Sequence, residues 1–140
     1  QKEAAQRICA RPGDADYSAF TAQVAYYARP SVLMDVPRDL FLPAPKVDSA
    51  VLKLDLWENP PVKGEKTEIF RVIRAAFANR RKTFANGLCI EFGRQLPKQT
   101  AETLLCSMGF AQNVRGEMLS LEDLSAVSVE LHNFLMKTGG

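Results

Sequence analysis

Apolar residues in the first thirty positions have helical spacing. A helix-forming run opens the chain and stops at a Pro-Gly pair, and Asp14 or Asp16 is expected to cap a second helix. In this second helix, Phe20, Val24 and Tyr27 fall at i, i+4 and i+7. Side chains at that spacing share one side of a helix, so these three are predicted to lie on one face.

From residue 31 onward the period of the pattern changes to two. Residues 31–36 form a short apolar run, and residues 47–57 alternate between apolar and largely polar positions. The apolar positions of the second run are Ala50, Leu52, Leu54 and Leu56. We expect two strands that pair antiparallel, the second with one covered side. A two-stranded ribbon is not stable alone in water, so the pattern indicates a larger sheet than this chain forms.

A proline-containing linker, residues 59–64, separates this α/β part from an all-α part. We place the boundary near residue 62, which gives domains of residues 1–62 and 63–140. The second domain is predicted to be a small helical bundle, and Ser120 followed by Asp123 marks the start of its last helix. Helices are predicted over residues 67–92, 98–108 and 120–137.

Composition argues against several classes of function. Of the 140 residues, 46% are apolar, which is enough for a packed core. Three widely spaced cysteines and a single histidine, His132, argue against a disulfide framework, a metal site or a histidine-based triad. No run approaches the roughly 20 apolar residues that span a bilayer. We expect a soluble, cytoplasmic protein that binds neither metal nor membrane.

The net charge of +2 conceals a local concentration of positive charge. Residues 61–90 carry seven basic and two acidic residues, a charge of +5. Residues 1–60 carry −1 and residues 91–140 carry −2. Clustering of this kind is typical of a surface that binds phosphate.

If residues 67–92 form one helix, four cations lie on one side of it, opposite an apolar side. These cations are Arg71, Arg74, Arg81 and Lys82. No acidic residue lies between them, which favours phosphate binding over the alternative of a merely solvated face. Arg80 would project toward the apolar side, so we expect it to be structural and to pair with Glu117 or Glu122. A break near Asn86-Gly87 is the alternative to a continuous helix.

Residues 41–49, Phe-Leu-Pro-Ala-Pro-Lys-Val-Asp-Ser, form a segment that we call the strap. Pro43 and Pro45 each fix φ at about −65° and favour an extended residue before them, which makes the strap stiff. Phe41 therefore loses little freedom when it stacks on a flat ligand. The alternative is that Phe41 is a hydrophobic plug beneath the loop.

The polar residues of the strap have two candidate roles. Lys46 either contacts a nucleic-acid phosphate or forms an ion pair with Asp48. Asp48 and Ser49 are expected to brace the strap by hydrogen bonds to the backbone.

Several of these stretches, taken together and in order, carry a resemblance. The chain resembles the C-terminal half of the ribosomal RNA small-subunit adenine dimethyltransferase family, and the strap is the most specific match. The other matching stretches are Gln1–Arg7, Pro12-Gly13, Tyr17, Tyr26-Tyr27, Val36-Pro37, Phe77 with Arg80–Thr83, Asn86, and Arg115–Ser120. One departure is Ser18-Ala19-Phe20, where family members usually have a glycine followed by Leu-Ser.

The resemblance implies an enzyme that transfers methyl groups from S-adenosylmethionine to N6 of two adjacent adenosines in small-subunit ribosomal RNA. It implies that Phe41 is one wall of a clamp around an extruded adenine, a stacking contact worth about 1–3 kcal/mol. The first domain would be the C-terminal remnant of a Rossmann-like methyltransferase sheet. The cofactor loop and an Asn-Leu-Pro-Tyr segment would lie in a methyltransferase domain upstream of Gln1, so this chain alone is expected to bind no cofactor and to be inactive.

Two alternatives remain at this point. The chain is either part of an enzyme or part of a non-enzymatic nucleic-acid-binding, transcription or assembly factor of the same family. A related group that methylates large-subunit RNA is a third possibility. Arg80–Thr83 and Arg115–Ser120 look more like the small-subunit branch. For the enzyme and for the binding factor alike, the basic helix is expected to bind the backbone of ribosomal RNA, and the expected partner is the immature small subunit.

Overall fold

The computed structural model describes residues 1–139, which contain six α-helices and one two-stranded antiparallel sheet. The chain divides into two compact units, one ending at Pro61 and the other beginning at Val62. The helices are α1 Lys2–Ile8, α2 Ala19–Tyr27, α3 Lys66–Phe77, α4 Phe84–Phe92, α5 Lys98–Ser107 and α6 Leu121–Thr138. The strands are β1 Ala28–Val36 and β2 Ser49–Leu56. Short 3-10 turns lie at Arg38–Leu40, Gly93–Gln95 and Gly116–Met118.

Helix α2 begins and packs differently from its prediction. Ser18 is its N-cap: the Ser18 hydroxyl accepts from Thr21 N–H, and the Thr21 hydroxyl accepts from Ser18 N–H. Neither Asp14 nor Asp16 caps it. Two residues of the predicted face, Phe20 and Tyr27, are exposed, and the buried residues of α2 are Thr21, Ala22 and Tyr26.

The ribbon of β1 and β2 confirms the predicted antiparallel pairing. Its register runs from Ala28 opposite Leu56 to Val36 opposite Ser49, with a bulge between Val32 and Met34. Pro30 lies inside β1; a two-stranded ribbon consists of edge strands, which tolerate proline.

The covered side predicted for β2 is only partly present. Ala50 and Leu52 are half-buried, whereas Leu54 and Leu56 are exposed among residues 1–139. Helices α1 and α2 pack on this ribbon. Trp57, just beyond β2, donates its indole N–H to the Ala25 carbonyl at 2.9 Å and ties that end of the ribbon to α2.

The continuous helix predicted over residues 67–92 is wrong. Helix α3 ends at Phe77 and α4 begins at Phe84, where Thr83 is the N-cap and its hydroxyl accepts from Asn86 N–H at 3.2 Å. The alternative break at Asn86-Gly87 is wrong too, because both residues lie within α4. Gly87 is required there because a Cβ atom at this position would lie 2.1 Å from the Ala75 carbonyl oxygen.

The core of the second unit lies between α3, α4, α5 and α6. The largest fully buried side chains of residues 1–139 all belong to this unit, and they come from every one of these helices or from the segments between them. Helix α6 starts as predicted: Ser120 and Asp123 exchange hydrogen bonds in a capping box. The sequence pattern thus located the bundle but misplaced one of its turns.

Candidate nucleic-acid interface

The strap projects its apolar residues outward from the ribbon. Phe41 is 45% exposed, Leu42 is fully exposed, and the Leu42–Pro43 peptide bond is cis. Pro45 follows on the same exposed stretch. A 3-10 turn, Arg38–Leu40, leads into the strap, and Phe41 N–H closes it by donating to the Arg38 carbonyl at 3.2 Å. Phe41 is therefore available to an external flat ligand, as the stacking role requires.

The base of the strap is closed by Arg38 and Asp48. One carboxylate oxygen of Asp48, Oδ1, accepts from both Arg38 N–H at 3.0 Å and Arg38 Nε at 3.1 Å. Arg38 Nη1 donates to the Lys46 carbonyl at 2.7 Å. Ser49 starts β2 opposite Val36, so the strap leaves and rejoins the ribbon at adjacent positions.

The environment of Asp48 favours its charged form. Hydrogen bonds from the Arg38 side chain and backbone lower the pKa of the Asp48 carboxyl, and the positive charge of Lys2 adds a smaller effect in the same direction. Lys2 N–H also donates to the Asp48 carbonyl at 3.0 Å, and its ammonium lies 3.3 Å from Asp35. The start of α1 thus holds the same end of the strap.

Lys46 is left exposed by this arrangement. The ion-pair partner of Asp48 is Arg38, and within residues 1–139 Lys46 itself has no ion-pair partner. Its side chain remains available to a phosphate, and its role as an RNA contact stays a prediction.

In the second unit, the four predicted cations do not form one helical face. Arg71 and Arg74 lie on α3, and both pair with Glu91 of α4, at 3.0 and 3.6 Å. Arg71 donates a further hydrogen bond to the Glu91 carbonyl at 3.0 Å, and its guanidinium lies 4.0 Å from the centre of the Phe92 ring. Arg71 therefore also joins α3 to the end of α4, and its binding to RNA stays a prediction.

Arg81 and Lys82 lie in the turn between α3 and α4, where both are exposed. Arg80 is exposed in the same turn rather than directed at an apolar face, so the expectation based on a continuous helix is corrected; its predicted pairing stays a prediction. Two hydrogen bonds join this turn to residues that are distant in sequence. Arg115 donates to the Arg80 carbonyl at 3.2 Å, and Phe84 N–H donates to the Val114 carbonyl at 2.8 Å.

Arg115 thereby brings a further cation to this turn. Together Arg80, Arg81, Lys82 and Arg115 form a surface that we call the basic turn. Glu117 lies in the neighbouring 3-10 turn. Gly116 packs so closely that a Cβ atom there would lie 2.0 Å from the Ala76 carbonyl oxygen, which fixes the approach of this segment to α3.

Three functional candidates were absent from the sequence-based set: Arg38, Glu91 and Arg115. The signal for Arg38 was its charge opposite Asp48 at the other end of a proline-rich loop. Glu91 could not be identified from the sequence, because its pairing with Arg71 and Arg74 requires that α3 and α4 be separate helices that pack on each other. Arg115 lies far from the basic turn in sequence, and only folding brings it there.

The described residues offer no metal centre, since no group of three His, Cys, Asp or Glu side chains in residues 1–139 could hold an ion. No helix in the same residues is both long and apolar enough to cross a membrane.

The fold of this chain is similar to parts of two solved structures. A crystal structure of a dimethyladenosine transferase from Plasmodium falciparum matches 96% of this chain and 55% of its own chain, with a TM-score of 0.74 and 24% identity. A crystal structure of the 23S rRNA methyltransferase ErmE matches 94% of this chain and 52% of its own, with a TM-score of 0.63 and 23% identity.

Sequence similarity identifies the family of this chain. The family described as Ribosomal RNA adenine dimethylase matches residues 1–127. A relative from Geobacillus thermodenitrificans (strain NG80-2), named Ribosomal RNA small subunit methyltransferase A, is 42% identical over 131 residues. That alignment covers 91% of this chain and 44% of the relative, so the chain spans about half the length of the curated relatives it matches. The chain belongs to the ribosomal RNA adenine dimethylase family.

Proposed function

We propose that this chain is the C-terminal portion of an S-adenosylmethionine-dependent enzyme that dimethylates N6 of two adjacent adenosines in small-subunit ribosomal RNA. Its first unit supplies the strap that holds the target base, and its second unit supplies the surface that binds the RNA. The single observation that carries the proposal is an exposed Phe41 on a strap closed at its base by Arg38 and Asp48.

The chemistry explains why such a strap is useful. The N6 amine of adenine is hidden by pairing and stacking, so an enzyme that modifies it extracts the base and stacks it against side chains. Phe41 supplies a flat apolar surface on a segment that two prolines and a closed base keep stiff. Stacking on a base is worth about 1–3 kcal/mol when the aromatic is compared with alanine.

The basic turn is the favoured RNA contact of the second unit. Arg81 and Lys82 are exposed, and backbone bonds hold the turn in place, so phosphate binding requires little ordering of the chain. Arg71 and Arg74 are paired with Glu91, so their contribution to RNA affinity is expected to be smaller. Contacts of this kind position the substrate without reading its sequence.

The cofactor belongs to the full-length protein in this proposal. S-adenosylmethionine would bind in a methyltransferase domain upstream of Gln1, and the 140-residue chain would neither bind it nor transfer methyl groups alone. The partner is the immature small ribosomal subunit, and the site of action is the cytoplasm.

Methyl transfer to small-subunit particles by the full-length protein tests the role of Phe41. We expect Phe41→Ala to lower kcat/KM by about tenfold or more, which corresponds to the stacking energy, and Phe41→Tyr to retain most of the activity. Leu42→Ala is the matched control, because Leu42 is the neighbouring exposed apolar residue of the same strap. Equal losses at Phe41 and Leu42, or no loss at Phe41, would contradict the stacking role.

The same assay distinguishes an enzyme from a binding factor. We expect methyl transfer from the full-length protein and none from the 140-residue chain, while both bind small-subunit RNA. Binding without transfer by the full-length protein would favour the assembly-factor alternative. Transfer to large-subunit RNA in place of small-subunit RNA would favour the third possibility, and activity of the 140 residues alone would overturn the account of the cofactor site.

A further inference from the structure

Arg38 lies at the start of the exposed loop that contains Phe41, and it contacts residues at the end of that loop. Its backbone N–H and its Nε both reach Asp48 Oδ1, at 3.0 and 3.1 Å, while its Nη1 reaches the Lys46 carbonyl at 2.7 Å. One residue thus connects the start of the loop to two positions near its end. A loop of this length is closed at an entropic cost that such cross-links offset.

The interior of the strap has little else to hold it. Between Leu42 and Val47, the structure of residues 1–139 describes one hydrogen bond, the one that Arg38 donates to the Lys46 carbonyl. Phe41 itself is fastened through its N–H to the Arg38 carbonyl. The position of the aromatic ring therefore depends on where Arg38 is fixed.

We infer that Arg38 is a positioning residue, whose guanidinium locks the strap so that Phe41 is held ready to stack on a base. The inference rests on the proposed function of the strap. It differs from an ordinary exposed ion pair, which contributes little, because here one planar group bridges a carboxylate and a backbone carbonyl. A lysine presents a single ammonium point and cannot reproduce that fork.

Backbone order parameters from ¹⁵N relaxation of this chain test the lock without any catalysis. We expect the non-proline residues of the strap to fall from the rigid value of about 0.85 to below about 0.6 in both Arg38→Gln and Arg38→Lys. Arg11→Gln is the matched control, because Arg11 is an exposed arginine of the same unit whose described hydrogen bonds, both to Asp14, use only its backbone N–H and carbonyl. Unchanged order parameters in Arg38→Gln would overturn the inference, and retention of order in Arg38→Lys would reject the guanidinium fork.

A double-mutant cycle in the full-length enzyme separates positioning from a general structural role. Arg38→Gln is expected to lower kcat/KM about fivefold in the wild-type background and to have no further effect once Phe41 is alanine. Equal effects in both backgrounds, or a loosened strap with unchanged kcat/KM, would overturn the positioning role. If Phe41→Ala has no effect, the proposed stacking function fails, while the order parameters still decide whether Arg38 locks the strap.

Discussion

The two units of this chain differ in how completely they bury their apolar side chains. In the second unit, Ile69, Ile73 and Leu88 are fully buried, whereas in the first unit Met34, Leu54 and Leu56 are exposed on the ribbon. The buried apolar residues of the first unit are small or tyrosine, and include Ala5, Ala22 and Tyr26. The helical unit therefore contains its own core, while the ribbon carries apolar surface that its own helices do not cover.

This difference has a consequence for where function can be placed. A unit with its own core can hold a precise surface such as the basic turn without help, because its helices fix each other. A ribbon without such a core relies on hydrogen bonds at the base of a loop to fix that loop. At the strap, these are the bonds between Arg38 and Asp48. Substitutions should therefore act through packing in one unit and through hydrogen bonding in the other.

The largest effect should come from equal truncations made in the two units. Ile73→Ala removes a fully buried side chain and should lower the free energy of unfolding of the helical unit by about 2–5 kcal/mol. Leu54→Ala, at a residue that is 47% exposed, should change stability by less than about 0.5 kcal/mol. Urea unfolding followed by circular dichroism measures both. Similar losses at the two sites would mean that the ribbon is covered and that the comparison is wrong.

A second effect tests how closely α3 and α4 approach in the helical unit. Helix propensity alone predicts that Gly87→Ala gains about 1 kcal/mol. We expect instead a loss of about 1–3 kcal/mol, because the new Cβ atom would lie 2.1 Å from the Ala75 carbonyl oxygen and the helices would have to separate. Thermal unfolding measures the sign.

Gly109→Ala provides the control for this prediction. Gly109 has φ of +91°, and a Cβ atom added there would have no neighbour within 4 Å, so alanine meets backbone strain but no steric clash. The expected cost is about 1–2 kcal/mol without any change in helix packing. A stabilising effect of Gly87→Ala would contradict the close approach of the two helices.

The sequence predicts the antiparallel ribbon because the alternation of its second strand is a local signal. Alternation identifies β2, and Pro43 and Pro45 identify the loop between the strands, whose stiffness stays a prediction. The prediction from sequence fails between Phe77 and Phe84, where no proline or glycine signals a break in the helix. The Thr83 cap and the packing of Gly87 against Ala75 decide that turn, and the second of these is a tertiary contact.

The same division between local signals and tertiary contacts applies to the residues of the candidate site. Phe41 and Asp48 could be identified from the motif itself, and Arg81 and Lys82 from local charge. Their geometry could not be predicted, since Arg38 reaches Asp48 across the loop and Arg115 reaches the basic turn across the bundle. The spacing of Phe20, Val24 and Tyr27 likewise does not identify the buried side of α2, where Tyr26 is buried and Phe20 is exposed.

A third and smaller effect is the different contribution to RNA affinity of the exposed cations of the basic turn and of Arg71, which is paired. Replacing Arg81 and Lys82 together by glutamine should reduce the slope of log affinity against log salt concentration by about 1.4–1.8 for small-subunit RNA, as expected for two lost phosphate contacts. Arg71→Gln should change the slope less, because Arg71 is already paired with Glu91. Fluorescence anisotropy at several salt concentrations measures the slope. A decrease of about 0.7–0.9 for Arg71→Gln, the value for one phosphate contact, would show that Arg71 binds RNA despite its pairing with Glu91.

The smallest effect is confined to the ribbon and appears only in acid. Because hydrogen bonds from Arg38 lower the pKa of Asp48, the charged carboxylate stabilises the folded strap fully above the ordinary aspartate value of about 3.9, and this contribution disappears as the pH falls through the lowered pKa. Order parameters of the strap should therefore be constant from about pH 5 to 8 and decrease only below about pH 4. Asp48→Asn should be looser at neutral pH and lack this acid step, while the amide signals of α3 and α6 report whether the helical unit remains folded. Loosening of the wild-type strap between pH 5 and 8, or the same acid step in Asp48→Asn, would show that this carboxylate is not what closes the loop.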